Sequence, residues 1–223
     1  MWYKLKRIMM RPNGVEKQVR PIGWKPWANT IAYYKFDWNL NDSSGNSYNL
    51  SVAAWSITYW TASWWWKYAH INKNTRTNYW EKSFDYNWNN TISLRMNPQI
   101  TNGSILLEMW SRSNEFLRFN GAIFCWFWWD MTYSMSANTR YLVTFTRSWT
   151  STALYINGSL IWTWIGGKTW THNIRFKLNN AGDTSSSTYS NNSYWSELIW
   201  ENKTRTAQEV TDYYNLTKWN YWL

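Results

Sequence analysis

Residues 140–161 read Arg140-Tyr-Leu-Val-Thr-Phe-Thr-Arg147-Ser-Trp149-Thr-Ser-Thr152-Ala-Leu-Tyr-Ile156-Asn157-Gly158-Ser-Leu-Ile161. The runs Tyr141–Arg147 and Thr152–Ile156 are rich in β-branched and aromatic residues and are separated by small polar ones, which is the pattern of a hairpin. Asn157-Gly158 is the dipeptide that most readily supplies two positive-φ residues to a tight turn, so a third strand is expected from Ser159. Similar runs recur on both sides of this stretch: 30–36, 50–54, 67–71, 91–96, 104–110, 115–119, 174–178 and 195–200. Many short strands punctuated by turns predict an all-β protein, a two-sheet antiparallel sandwich. One helix is expected near the end, over 206–214. There Thr206-Ala-Gln-Glu209 fits a capping box, and Val210, Tyr213 and Tyr214 follow at helical spacing.

The composition contains one anomaly. Tryptophan occurs 23 times in 223 residues and glycine only 9 times, about 4% against the ~7% of soluble proteins. Many tryptophans stand among turn formers instead of on an apolar strand phase: Trp38 between Asp37 and Asn39, Trp88 after Asn87, Trp149 after Ser148, and Trp170 between Thr169 and Thr171. Those are glycine contexts. The runs Trp64-Trp65-Trp66 and Trp128-Trp129-Asp130 likewise read as loops if glycine is substituted. The pattern fits a gene in which UGA encodes glycine, translated here with UGA as tryptophan. On this reading Trp38, Trp88, Trp149 and Trp170 sit at exposed turns and Trp64–Trp66 lie in a loop.

Length suits one domain. Charged residues make up 16% and mean hydropathy is −0.62, and no window offers the ~18 apolar residues of a membrane span. The apolar run Ile8-Met9-Met10 is shorter than the ~7–15 residues of a signal peptide. A single cysteine, Cys125, excludes an internal disulfide or a multi-Cys zinc site. Of the net +10, residues 1–25 carry most, with seven Lys/Arg against one Glu, so the body presents no case for nucleic acid. Asn13-Gly14 predicts a hairpin within a basic arm and linker over 1–28, followed by the domain at 29–217 and a tail at 218–223.

Three stretches, in order, carry a family resemblance. Ala32-Tyr-Tyr-Lys-Phe-Asp-Trp38-Asn-Leu-Asn-Asp42-Ser-Ser-Gly45-Asn46 looks like an opening strand with an Asp-x-Ser-Gly-Asn loop, once Trp38 is read as glycine. Leu142–Leu160 looks like the strand pair ending in Leu-Tyr-Ile-Asn157-Gly158, and Trp195-Ser-Glu197-Leu198 through Arg205–Val210 like the acidic strand and closing helix. Together they resemble the laminin G-like, concanavalin A-like lectin/glucanase superfamily, which implies a jelly roll. The resemblance also implies a calcium site built from Asp42, the turn at Gly45, and Glu197. Calcium takes six to eight oxygens, and Ser196 stands where the family has Asp, so one carboxylate is lost from that set.

Catalysis is disfavoured. The glucanase branch needs carboxylates arranged as Glu-x-Asp-x-x-Glu on one strand, whereas Glu108 and Glu115 fall on different predicted strands and Glu197 and Glu201 are four apart. His70 and His172 have no ligands at zinc spacing, and Gly166-Gly167-Lys168-Thr169 lacks the rest of a phosphate loop. Loop tyrosines, among them Tyr48, Tyr79, Tyr86, Tyr133 and Tyr189, are candidates for sugar contact. The expectation is a non-catalytic binding module for a glycan or surface polymer, located on a virion or cell surface. The alternative is a structural or display domain of a virion or envelope assembly, docked to a protein partner through the arm.

Overall fold

The computed structural model describes residues 28–54, 57–63, 66–71, 76–77, 80–85, 89–99, 104–110, 116–119, 122–126, 130–149, 151–165, 171–178 and 193–218. Residues 1–27 of the predicted arm and linker, with the hairpin, lie outside these residues, as do Trp64, Trp65, Trp88 and Trp170. In chain order the strands are β1 (Thr30–Tyr34), β2 (Val52–Ala54), β3 (Thr58–Ser63), β4 (Trp66–Ile71), β5 (Arg76–Thr77), β6 (Trp80–Asp85), β7 (Asn90–Pro98), β8 (Ser104–Trp110), β9 (Phe116–Phe119), β10 (Ala122–Trp126), β11 (Asp130–Ser134), β12 (Tyr141–Ser148), β13 (Ser151–Ile156), β14 (Ser159–Ile165), β15 (Thr171–Leu178) and β16 (Ser193–Glu201). Helix α1 (Ala207–Thr217) follows. The fold is the expected all-β sandwich with one short C-terminal helix. One correction concerns Trp66, expected in a loop, which instead opens β4 because it pairs with Ser63 across the β3–β4 hairpin.

Every strand pair is antiparallel. The larger sheet runs β14-β13-β12-β7-β16-β4-β3, and the smaller one β11-β10-β9-β8-β15-β6. Strand β16 serves two partners on one side: its first residues pair with β4 and its last with β1. The Asn157-Gly158 turn has φ of 52° and 80°, the two positive values of a type I′ turn.

Alternation along the larger sheet separates two faces. Tyr34, Leu94, Met96, Val143, Phe145, Leu154, Trp195, Leu198 and Trp200 point into the core, where full burial of a large apolar side chain contributes ~1.5–3 kcal/mol. Between Trp195 and Glu197 the register against β7 slips. Ser196 is the extra residue of this bulge, and it reverses the phase: Trp195 stays in the core while Glu197 comes out on the opposite face, paired with Arg95.

Helix α1 covers that opposite face. Tyr213 packs on Tyr33, Leu142 and Ile199, and Val210 packs on Ala153 and Tyr155. The capping box predicted from sequence is present: the Glu209 amide donates to Thr206 Oγ1 at 3.2 Å, and the Thr206 amide to Glu209 Oε2 at 2.8 Å. The helix passes so close to the Asn157-Gly158 turn that a Cβ on Gly158 would lie 2.9 Å from the Cβ of Tyr214. No helix among the described residues is long and apolar enough to cross a membrane.

Four of the described tryptophans fall into two kinds. Trp195 and Trp200 are core residues, and the Trp195 indole N–H donates to Ser193 Oγ. Trp38 has φ 112° and is 52% exposed, and Trp149 has φ 53° and is 62% exposed. Both backbones lie where glycine is at home and a side chain costs ~1–2 kcal/mol.

Candidate functional site

Asp42 closes the loop after β1. Its Oδ1 accepts from the Tyr33 amide at 2.9 Å and the Ser44 amide at 2.8 Å, and its Oδ2 from the Ser44 hydroxyl at 2.6 Å and the Tyr48 amide at 3.1 Å. Gly45, at φ 95°, supplies the left-handed turn. Asn46 then reaches back, donating to the carbonyls of Thr30 and Ile31.

Glu197 belongs to a different environment, buried between the sheet and α1. Its Oε1 accepts from the Tyr33 hydroxyl at 3.0 Å, and its Oε2 from Arg95 Nε at 3.0 Å and the Tyr213 hydroxyl at 2.7 Å. The Arg95 and Arg205 guanidinium groups lie over the Tyr213 ring, 5.5 and 4.4 Å from its centroid. Burial, and next the Glu197 charge, push the Tyr213 hydroxyl far above the ordinary phenol range, so it stays a donor. Arg205 in turn pairs with Glu201 at 2.6 Å, whose carboxyl is raised by burial against the opposing pull of Arg205. This network fastens the helix to the sheet.

Asp42 and Glu197 are thus tied to one residue, Tyr33, the first through its amide and the second through its hydroxyl. The arrangement does not fit the calcium site that the resemblance implies. Three protein donors occupy Glu197 and four occupy Asp42, and no group of three His, Cys, Asp or Glu side chains gathers among the described residues. Asp42→Ala is expected to lower stability by about 2–3 kcal/mol through the amides it leaves unpaired, and to do so equally in EDTA and in calcium. A calcium-dependent rise in the wild-type Tm that vanishes in the variant would restore the metal reading.

The third place is the outer face of the larger sheet beyond the end of α1. Since Ala69 and Tyr59 face the core side, their neighbours Tyr68, His70, Thr58 and Trp60 face outward. Tyr194 pairs with both His70 and Asn97 and joins them. Its ring lies 4.8 Å from Tyr68, edge to face, and 4.8 Å from His70, tilted by 37°. Trp60, opposite Tyr68, is exposed. The result is an aromatic ledge crossing three strands, half-buried at its root and open above, with hydroxyl and imidazole edges. Burial, then Tyr194, raise the Tyr68 hydroxyl above the ordinary range, and the charge of Arg140 pulls the other way.

Of the loop tyrosines singled out from sequence, Tyr48 and Tyr133 pack against the core, while Tyr79, Tyr86 and Tyr189 lie outside the described residues. Tyr68, His70 and Tyr194 are not legible as a site from sequence. Local alternation shows that Tyr68 and His70 share a face, but only the β4–β16 pairing adds Tyr194.

No protein-family model and no curated protein sequence matches the chain. Solved structures do match in fold. Domain 4 of AbnA, a GH43 extracellular arabinanase from Geobacillus stearothermophilus, solved in complex with arabinotriose, superposes with a TM-score of 0.68 at 19% identity, covering 82% of this chain and 97% of that domain. The binding domain of Paraclostridial Mosquitocidal Protein 1 gives 0.65 at 18% identity over 84% of this chain and 52% of its own length. A structure of botulinum neurotoxin type C, whose cell entry depends on interaction with two ganglioside molecules, gives 0.60 at 15% identity, again with the chain spanning about half, 51%, of the neighbour. The chain therefore shares the β-sandwich fold of these proteins.

Proposed function

We propose that the chain is a non-catalytic, laminin G-like binding module that holds a glycan or surface polymer on the ledge of Tyr68, His70 and Tyr194. The observation that carries this is the cluster of three half-buried rings gathered on the outer face of the larger sheet, since sugar rings stack their C–H faces on aromatic ones while hydroxyl edges take the hydrogen bonds. Likeness of fold to a domain solved with arabinotriose supports it. The reading includes glycine as the native residue at Trp38 and Trp149, whose φ values suit it. The ledge does not depend on that question, because its three central residues are not tryptophan.

The test is binding of the full chain to an array of plant, animal and bacterial polysaccharides. Wild type is expected to bind at least one class, and Tyr194→Ala to lose that binding tenfold or more while keeping its circular dichroism spectrum. A folded wild type that binds no glycan, or a Tyr194→Ala variant that binds unchanged, would overturn the assignment.

A further inference from the structure

The ledge continues across the sheet. Tyr194 pairs with both His70 and Asn97, so these three occupy one outward row. Tyr141 pairs with Met96, both facing the core. Arg140, one residue before Tyr141, therefore stands beside Asn97 at the end of the same row, facing outward. With strands ~4.8 Å apart, three steps from His70 to Arg140 span about 14 Å. The charge of Arg140 acts on the Tyr68 hydroxyl on the same outward face.

From rings at one end, an amide in the middle and a guanidinium at the other, we infer that the ledge takes an acidic polysaccharide, with sugar rings on Tyr68 and Tyr194 and an anionic substituent on Arg140. A planar guanidinium holds a carboxylate or sulfate through two parallel N–H donors, which an ammonium cannot reproduce. Asn97 lies between, where a ring hydroxyl would pass. The inference rests on the glycan-binding reading and narrows it to charged polymers.

The experiment compares polygalacturonate with its fully methyl-esterified form, which keeps the backbone and removes the charge, and uses dextran sulfate to separate sulfate from carboxylate. Binding to the full chain is measured by calorimetry at 0.15 M salt. Polygalacturonate or dextran sulfate is expected to bind at least tenfold more tightly than the ester. Arg140→Gln should erase that preference, Arg140→Lys should restore only part of it, and Tyr194→Ala should weaken the charged and the esterified polymer alike. If the ester binds as well as the acid, the acidic reading fails and glycan binding stands; if neither charged polymer nor any neutral glycan binds, both fail. Polyanion binding that survives Arg140→Gln and Tyr194→Ala together would also overturn the inference, because it would belong to another part of this basic chain.

Discussion

Glu197→Ala is expected to destabilise the protein by about 3–5 kcal/mol, the cost of removing one partner of a buried ion pair. The loss is large because three donors are abandoned at once: the Tyr33 hydroxyl, the Tyr213 hydroxyl and Arg95 Nε. Arg95 is buried beside it, so its charge would lose the Glu197 carboxylate under the helix. For a domain of this size each kcal/mol moves Tm by roughly 2–4 °C, so a fall of about 6–20 °C should be seen on heating. Asp212, on α1, provides the control: it accepts from Gln208 in an exposed i,i+4 pair, and Asp212→Ala should cost under ~0.5 kcal/mol. Equal losses in the two variants would show that the helix is held by apolar packing alone.

The second large effect has the opposite sign. Replacing Trp38 and Trp149 together by glycine should stabilise the chain by about 2–4 kcal/mol, as each side chain is relieved of a positive φ at ~1–2 kcal/mol. The two sit on separate loops, so their gains should add. Trp38 would give up a ring contact with Tyr59 at 6.4 Å and a place under Lys67 at 5.2 Å, but an exposed cation–π pair is worth only ~0.5–1 kcal/mol. Trp200→Gly, by contrast, should unfold the sandwich, because that indole is buried in the core. A double glycine variant that melts below the parent would remove the physical ground for reading these positions as glycine. Intact mass of the protein from its native source tests the coding directly.

The ten strand runs read from sequence all coincide with strands, and the helix begins at its predicted cap. Strands β3, β5, β6, β10 and β11 carry no such run. Trp80-Glu-Lys-Ser-Phe-Asp85 shows why, since its pairing with β15 supplies an order that two charges in its middle conceal. The site was less legible than the fold. Nothing local marks Ser196 as a bulge, because the phase reversal exists only relative to β7. For the same reason the hold of Glu197 on the helix, through Arg95 and Tyr213, is visible only in the structure.

The central place of β16 also governs when the protein can come into being. Its long partner β7 ends at Pro98, whereas β16 starts only at Ser193, so the middle of the larger sheet is a seam between stretches of chain made far apart in time. While a ribosome is still adding residues 99–192, β7 and β12 can pair, yet one long edge stays open. Such distant pairings close slowly, and open edges invite neighbouring chains. Until β16 has emerged, the β7 edge of the nascent sheet stays open to other chains, and the closing of the larger sheet waits for its last strand.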